Sequence, residues 1–343
     1  MSGSLRCYSF HSVKGGVGKS TLSVLAALGL AQHYGASVSL VDMDLTGTSL
    51  ADLLPLEAPE WEGVGEGQPL PLLRKPSGFL KLKESRRRME ERDEHARSAI
   101  SAGQSKAPEP TGVSFLNDYL LFATPDWSEQ QDMPVESVLW RMEGNLPESL
   151  RVIPSSALPV DLERIIPVVF DENHSGFLEG RLEYLLDALV PQEGVHTVVV
   201  DTPPTIPGLS RSVLSLALRL SRKEKTPLSE QGGMPSRLKE APVEWTAFVV
   251  GSMDHQDVRA ANRWLSLVKD EERERIRFLV NRVPKGEAQQ VRKELEDIVA
   301  DQGNPLLWEA LAVEESLRDL QFFRRRGAPR FPKELLAFLN PEE

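Results

Sequence analysis

The chain lacks the cysteines on which disulfide-stabilised folds and cysteine metal centres depend. Its 343 residues include one cysteine, Cys7, so neither an internal disulfide nor a CxxC metal site can form. Cys7 lies in a short apolar stretch, which favours a small core residue over a reactive thiol. The fold must therefore be held together by its packing.

The sequence also has no long apolar run, and its first residues do not predict a secretion leader. No run of about 18 apolar residues, the length that predicts a membrane span, occurs in the sequence. The first ten residues, MSGSLRCYSF, show no basic segment followed by an apolar one, so we expect a cytoplasmic protein. The net charge of −11 argues against a protein whose whole surface binds nucleic acid, although it leaves room for a local basic patch.

What the chain does have is a regular alternation of strand and helix signals. Short apolar, β-branched runs predict strands over residues 5–13, 37–41, 150–154, 195–201, 245–250 and 277–280. Helical periodicity predicts helices over residues 20–34, 177–189, 212–220, 258–268, 287–300 and 331–339. This alternation predicts an α/β fold with a doubly wound, mainly parallel sheet flanked by helices, and we expect a single domain over residues 1–343.

Two regions interrupt the alternation. Residues 55–112 begin and end in Pro- and Gly-rich sequence and enclose a densely charged segment, KLKESRRRMEERDEHAR, at residues 81–97. Alternating charges at helical spacing predict an exposed helix, which is either a solvated insertion or a partner-binding arm. Residues 221–244 are polar with Pro and Gly and predict a loop.

A phosphate-binding loop is predicted where the first strand meets the first helix. The segment KGGVGKST occupies this junction, which is the context that a phosphate loop requires. Glycines let the backbone turn its N–H groups toward a phosphate, and the helix N-terminus adds partial positive charge. The candidate nucleotide-binding residues are Lys14, Gly15, Gly16, Val17, Gly18, Lys19, Ser20 and Thr21. Of these, Lys19 would reach the β- and γ-phosphates, and the Ser20 hydroxyl would bind Mg²⁺.

The loop departs from the usual G-x-x-x-x-G-K-[ST] pattern in one informative way. Val13 stands where that pattern has glycine, and Lys14 precedes the glycine pair. The segment therefore resembles the ParA/MinD family of deviant Walker-A P-loop ATPases, and ParA-like more than MinD-like members. The resemblance implies the P-loop NTPase fold, ATP with Mg²⁺, and an ATP-dependent homodimer that closes face to face over two nucleotides. It also implies that Lys14 contacts the nucleotide of the partner protomer; the alternative is a solvated loop lysine.

The resemblance extends to acidic residues that follow two of the predicted strands. Asp42 and Asp44 lie in VDMDLTG, which is similar to the first switch of the family, and Asp201 lies in VVVDTPP, which is similar to its Walker B segment. The resemblance implies that Asp44 orients the attacking water, and that Asp44, Asp201 and Ser20 organise Mg²⁺. Asp42 would support the magnesium shell or the loop, unless it caps the helix that follows.

Two further candidates concern the base and the cargo. Asn281, at the end of a later predicted strand, resembles the family's purine-binding asparagine, because its amide both donates and accepts; it could otherwise be a turn residue. Clustered arginines near the C-terminus could neutralise DNA phosphates or form a solvated basic loop. The candidate DNA-binding residues are Arg324, Arg325, Arg326 and Arg330.

Three functions remain open at this point. The first is a partition or positioning ATPase that is stimulated by a partner protein and uses nonspecific DNA as its surface. A membrane surface is disfavoured, because the C-terminal KELLAFLNPEE is short and ends acidic. The second is a metal-centre maturation ATPase without CxxC. The third is an ATP-dependent small-molecule ligase or kinase on the same core.

Overall fold

The structure is a computed structural model. It describes residues 3–45, 49–64, 74–102, 112–122, 133–144, 146–170, 175–191, 193–205, 208–222, 237–265, 275–284, 286–300 and 307–312, together with Leu335 and Leu339. The arginine cluster at residues 324–330 lies outside the described residues, as does most of the helix predicted over residues 331–339.

Most of the strands belong to one sheet. The strands of the described residues are β1 (Ser4–His11), β2 (Ser37–Asp42), β3 (Leu56–Glu57), β4 (Pro59–Glu60), β5 (Gly78–Phe79), β6 (Trp140–Met142), β7 (Leu150–Ile153), β8 (Val195–Asp201), β9 (Val243–Gly251), β10 (Ile276–Val283) and β11 (Leu307–Ala312). The main sheet has nine strands in the order β11-β10-β9-β1-β8-β2-β7-β6-β3, and β4 pairs with β5 separately. Every pairing from β11 to β7 is parallel, whereas β6 and β3 add an antiparallel edge.

Helices cover both faces of this sheet. They are α1 (Lys19–Tyr34), α2 (Leu50–Leu53), α3 (Leu82–Ser101), α4 (Leu116–Phe122), α5 (Pro159–Phe170), α6 (Ser175–Leu189), α7 (Leu209–Arg222), α8 (Arg237–Glu240), α9 (His255–Leu265) and α10 (Ala288–Ala300), with a 3₁₀ helix at Val135–Val138. Alternate residues of each central strand enter different clusters: Val199 packs with α1, and Val198 and Val200 pack with α6 and α7. A sheet buried on both faces needs continuous apolar strands, as β8 has. The predicted doubly wound, mainly parallel α/β fold is confirmed.

The strand register brings the predicted site residues to one edge of the sheet. Phe10 of β1 and Asp42 of β2 both lie level with Asp201 of β8, which runs between these two strands. The carboxyl ends of all three strands therefore meet, and this is where doubly wound sheets bind their ligands.

The predicted boundaries hold best around the first helix. Helix α1 ends at Tyr34 and is followed by Gly35 in the left-handed conformation, with φ of 59°, as the Gly stop signal predicts. Strand β1 ends at His11, two residues before the predicted end, because the chain already turns there: the N–H of Thr205 donates to the carbonyl of Ser12.

Cys7 is fully buried in β1, and burial raises the pKa of its thiol, as suits a core residue.

Several elements escaped the sequence analysis. Helix α5 was not predicted because it carries Pro167 in its interior, and proline is read as a helix breaker. The polar loop predicted over residues 221–244 is shorter at both ends, since α7 continues to Arg222 and β9 begins at Val243, with α8 between them. Residues 223–236 lie outside the described part of the chain.

The charged segment of residues 81–97 does form a helix, α3, but the helix is not exposed all round. Ser85, Arg92, Ala96 and Ala99 are buried, and they recur at helical spacing along one face. This buried stripe is hard to recognise in the sequence, because two of its four residues, Ser85 and Arg92, are polar and resemble the charged residues of the outer face.

Candidate nucleotide-binding site

Two glycines give the phosphate loop its shape. Gly16 and Gly18 have φ of 79° and 87°, a conformation that residues with a Cβ rarely adopt. Gly18 also caps the N-terminus of α1, and a Cβ there would stand 2.4 Å from the Nδ2 atom of Asn281. The loop can therefore turn into α1 at this place only because residue 18 is glycine.

Lys19 forms a buried ion pair beneath this loop. Its Nζ atom lies 2.5 Å from Oδ1 of Asp201 and 3.4 Å from Oγ of Ser20, and the two charged residues are 5% and 1% exposed. Charges at this depth are stable only when they are paired, so each of the two residues requires the other or a substitute for it. The structure thus brings together three of the predicted site residues: a cation, a hydroxyl group and a carboxylate.

Lys14, in contrast, points away from this pocket. Its side chain is 61% exposed, and its Nζ lies 3.1 Å from Oδ1 of Asp257 in the first turn of α9. Asp257 is itself buried and accepts a second hydrogen bond from Ser252. The hydrogen bond and the negative charge of Asp257 raise the pKa of Lys14, which therefore stays charged. Sequence analysis missed Asp257, although a carboxylate just after the apolar strand β9 was a usable signal.

Asp42 ties together the loop that follows β2. Its side chain accepts hydrogen bonds from the N–H of Leu50 at 2.8 Å, the N–H of Asp44 at 3.2 Å and Oγ of Ser155 at 2.7 Å. Burial, and then the negative charge of Asp201, raise the pKa of Asp42 to about 7. These contacts favour the interpretation that Asp42 supports the loop and the start of α2.

Asp44 lies on the same loop and is half-buried, so it stays within reach of the carboxyl edge of the sheet. Residues 46–48, which complete the predicted first switch, lie outside the described residues. The structure therefore places Asp44 next to Asp42 but describes only part of its loop.

Asn281 lies against the phosphate loop. Its Nδ2 donates to the carbonyl of Val17 at 2.9 Å, and the residue is 2% exposed. Its Oδ1 is buried and has no hydrogen-bond partner among the described residues. A buried acceptor without a partner is costly, which is what a ligand-binding position would show before its ligand arrives. Arg282, which follows, has φ of 62°, a strained value for a residue with a side chain.

His11 is a functional candidate that sequence analysis did not identify. It is buried at the end of β1, where its two ring nitrogens each lie 2.8 Å from a serine hydroxyl, of Ser9 and of Ser210. Burial, and then the charge of Lys19, lower the pKa of His11 to about 3, so the ring is neutral. Ser210 in turn contacts Thr202, which follows Asp201, so His11 connects β1 with the loop after β8 and with the start of α7.

The arrangement fits a nucleoside triphosphate with Mg²⁺. The helix N-terminus that the glycines shape and the buried Lys19 ammonium group are complementary to phosphates. The Asp201 carboxylate, which pairs with Lys19 here, is complementary to a metal ion. The Asn281 amide oxygen, which has no partner among the described residues, is complementary to a base. Among the described residues no group of three His, Cys, Asp or Glu side chains could hold a metal ion alone. None of the described helices combines the length and the apolar character that a bilayer crossing requires.

A family model matches the part of the chain that contains the phosphate loop. A family model described as ParA, NUBPL iron-transfer P-loop NTPase, matches residues 6–76, which contain the phosphate loop, Asp42 and Asp44. The predicted resemblance to the ParA/MinD family is confirmed by this match.

Three solved structures are similar to the whole chain. The cell division ATPase MinD of Pyrococcus furiosus is 15% identical, with 98% of this chain and 97% of that chain covered and a TM-score of 0.49. A variant of McdA from Cyanothece in complex with ATP is 12% identical, with 99% and 96% covered and a TM-score of 0.48. A plasmid partition protein from Borrelia burgdorferi is 14% identical, with 98% and 97% covered and a TM-score of 0.46.

Proposed function

We propose that this member of the ParA/MinD family of P-loop NTPases binds ATP with Mg²⁺, hydrolyses it slowly as a nucleotide-sandwiched dimer, and uses the cycle in the partition or positioning of DNA or a protein cargo. The observation that carries the proposal is the buried pair of Lys19 and Asp201 beneath a glycine-shaped helix N-terminus. Lys19 and Asp201 pair with each other in this structure. With ligand bound, the charge of Lys19 would face the phosphates and the charge of Asp201 would face the metal ion.

Binding begins with an exchange of partners at Lys19. With ATP bound, the Lys19 ammonium group would contact the β- and γ-phosphate oxygens in place of Asp201. Asp201 and the Ser20 hydroxyl, which lies 3.4 Å from the lysine, would then hold Mg²⁺, Asp201 through water and Ser20 directly. When bound, Mg²⁺ neutralises the charge that develops on the phosphate oxygens. The pocket therefore exchanges one set of charge pairs for another, and no buried charge is left alone.

The base is recognised at the opposite side of the loop. Asn281 keeps its bond to Val17 and offers Oδ1 to the exocyclic amino group of adenine. Guanine presents an acceptor at the corresponding position, so this contact selects ATP over GTP.

Hydrolysis requires a positioned water, and Asp44 is the candidate that orients it. Asp44 follows Asp42 on a loop that starts at the strand next to β8, so its carboxylate can approach the γ-phosphate side of the site. A carboxylate that accepts a proton from water contributes to catalysis by positioning and by general-base action.

Lys14 is the candidate for contact across the dimer. It stands on the exposed outer half of the loop, and a charge in that place can reach a nucleotide held by a second copy of the chain. A cation supplied there stabilises charge in the transition state, as an arginine finger does. The ion pair with Asp257 must break for this contact to form; water can then solvate the exposed Lys14, and Ser252 keeps its hydrogen bond to Asp257.

The two alternatives make different demands on the chain. The matching family model is described as an iron-transfer NTPase, which agrees with metal-centre maturation as the first alternative. This function needs side chains that bind the metal, whereas the one cysteine of the chain is buried in β1. A ligase or kinase needs a second substrate, and its ATP turnover should stay low until that substrate is added. DNA binding by Arg324, Arg325, Arg326 and Arg330 remains part of the hypothesis for the cargo.

The experiment measures ATP turnover of the full chain with Mg²⁺, alone and with nonspecific DNA, together with size-exclusion chromatography in ATP. We expect slow turnover without any second substrate, and an ATP-dependent dimer that accumulates in Asp44→Ala because hydrolysis stops. Asp52→Ala, which removes an exposed carboxylate from α2, should behave like the wild type. Turnover by Asp44→Ala at the wild-type rate would contradict the role of Asp44, and absence of any ATP turnover by the wild type would contradict the function.

A further inference from the structure

The charged helix α3 is anchored to the core by a buried arginine. Arg92 is 4% exposed, and its guanidinium donates to both carboxylate oxygens of Asp118 at 2.7 and 2.8 Å, to Oδ1 of Asp161 at 2.8 Å and to the carbonyl of Val113 at 2.6 Å. Asp118 belongs to α4 and Asp161 to α5. One side chain of α3 therefore fixes two helices of the main domain.

These two helices in turn hold the segment that leaves β7. Oδ2 of Asp161 accepts a hydrogen bond from Oγ of Ser156 at 2.6 Å. Oδ1 of Asn117, the residue before Asp118 on α4, accepts one from the backbone N–H of Ser156 at 2.7 Å. Ser156 is thus held from both sides by groups whose positions Arg92 sets.

Ser155 continues the connection to the nucleotide site. Its Oγ donates to Asp42 at 2.7 Å, and its carbonyl accepts a hydrogen bond from Oγ of Ser49. Asp42 and Ser49 are the two ends of the loop that carries Asp44, so Ser155 holds both ends of that loop at once. Hydrogen bonds on either side of the peptide bond between Ser155 and Ser156 therefore connect α3 with the loop that would orient the attacking water.

Polar contacts of this kind set orientation more narrowly than apolar packing does. Hydrogen bonds depend on direction as well as distance, and a buried network whose members are all satisfied favours one arrangement. The side chains of the network are all 4% exposed or less: Asp42, Ser49, Arg92, Asn117, Asp118, Ser155, Ser156 and Asp161. Water can therefore not easily replace a lost contact. A substitution at Arg92 should consequently change the position of the loop that carries Asp44.

We propose that Arg92 is a positioning residue of the nucleotide site: acting through Asp161, Ser156 and Ser155, it fixes the loop that carries Asp44. The inference rests on the proposed function of that loop in hydrolysis. It gives the charged segment of residues 81–97 a role inside the protein in addition to whatever its outer face contacts.

The experiment compares three variants of the full chain by steady-state ATP turnover, by equilibrium binding of a fluorescent ATP analogue, and by circular dichroism. Arg92→Lys keeps the charge but loses the planar, bidentate geometry, and Ser156→Ala cuts the link between Asp161 and the loop while leaving every charged pair in place. Arg87→Ala is the matched control, since Arg87 lies on the same helix and pairs with Glu84 and Glu91 at the surface.

We expect kcat to fall about ten-fold in Arg92→Lys and in Ser156→Ala, because a displaced loop misplaces the attacking water. ATP affinity should stay within about two-fold of the wild type in both, since the phosphate loop is untouched. Arg87→Ala should match the wild type in both measurements. A merely structural role for Arg92 would instead lower kcat and ATP affinity together, in proportion to the fraction of unfolded protein.

Wild-type kcat in folded Ser156→Ala would overturn the inference, and so would a joint loss of kcat and ATP affinity in that variant. If Arg92→Lys does not fold, Ser156→Ala alone decides by the same two criteria. The wild-type measurement separates this inference from the proposed function: no turnover by the wild type refutes the function, whereas wild-type turnover that both variants retain refutes only the role of Arg92.

Discussion

The inner and outer halves of the phosphate loop hold their lysines in opposite ways. Lys19, on the inner half, is 5% exposed and pairs with a carboxylate that is equally enclosed. Lys14, on the outer half, has 61% of its side chain exposed and pairs with Asp257, whose side chain is 8% exposed. The same residue type, five positions apart in the chain, therefore meets two different dielectric environments.

This difference explains why the two lysines suit different tasks. A buried ion pair cannot lose one member without a large cost, so Lys19 can only exchange Asp201 for another anion in the same place. The pair of Lys14 and Asp257 can break more easily, because water solvates the exposed lysine and Ser252 keeps its hydrogen bond to the carboxylate. Lys14 is thus free to move toward a second protomer, while Lys19 must stay in its own site. Three experiments can break or sharpen this contrast.

The largest effect should follow from Lys19→Ala. Loss of the charge-assisted contacts to phosphate should weaken ATP binding by at least about 100-fold, measured by isothermal titration calorimetry with ATP and Mg²⁺. The substitution should also cost about 3–5 kcal/mol of stability, because Asp201 is left as a buried charge without its cation. Heat of ATP binding equal to that of the wild type would contradict the assignment of the phosphate loop.

A double variant separates these two consequences. In Lys19→Ala/Asp201→Asn the buried carboxylate is neutral, so urea unfolding should show that most of the lost stability returns. ATP binding should remain as weak as in Lys19→Ala, because the cation is still missing. Recovery of binding together with stability would mean that Lys19 acts only in folding.

The second effect should follow from Lys14→Ala and should leave ATP binding intact. Without a cation on the outer half of the loop, the ATP-dependent dimer should not form on size-exclusion chromatography, and turnover should fall by about 100-fold or more. Asp257→Asn is the matched control, since it breaks the same ion pair but keeps the lysine. It should dimerise at least as readily as the wild type. Loss of the dimer in both variants would show that the ion pair, and not contact between protomers, is what Lys14 provides.

The smallest effect concerns His11, which lies under the inner half of the loop. The pKa of His11 is lowered to about 3 in the folded chain and stands near 6.5 when unfolded, so the unfolded state binds more protons between these values. Its contribution to stability is therefore complete above pH 6.5 and is lost as the pH falls toward 3. By pH 5 the loss should reach about 2 kcal/mol relative to pH 8.

Urea unfolding of His11→Gln at both pH values tests this dependence. Glutamine can still contact Ser9 and Ser210 but does not titrate, so the variant should lose about 2 kcal/mol less than the wild type between pH 8 and pH 5. His196, whose pKa is also lowered, is present in both proteins and cancels in the difference. His255→Gln, which removes an exposed histidine, should leave the pH dependence unchanged. An identical pH dependence in the wild type and His11→Gln would sink the prediction.

The sequence was sufficient for the parts of the site that lie close together in the chain. The phosphate loop, the first helix with its glycine stop, and the strands before Asp42 and Asp201 were all predictable, because turn chemistry and apolar runs are local signals. The resemblance suggested a base-binding role for Asn281, but its position against Val17 comes from the structure alone, since no local pattern links residues so far apart in the chain.

The sequence was insufficient where a residue's environment comes from distant segments. The segment of residues 81–97 predicts a solvated helix because most of its charges are solvated, and nothing in it marks Arg92 as different from Arg87. Helix α5 was not predicted because Pro167 lies inside it, and a local analysis takes a proline as the end of a helix. In both cases tertiary contacts override the local preference.

By itself, the amino-acid sequence determined the chemistry available at the end of β1: a glycine loop, two lysines and a hydroxyl within eight residues. The tertiary structure alone decided which of these groups are buried and what pairs with them: Asp201 with Lys19, Asp257 with Lys14, and Arg92 with Asp118 and Asp161. The physical reason is that residue type fixes the charge and hydrogen-bonding capacity of a side chain. The energy of its interactions depends on solvent exposure and on partners that only the folded sheet and helices bring together.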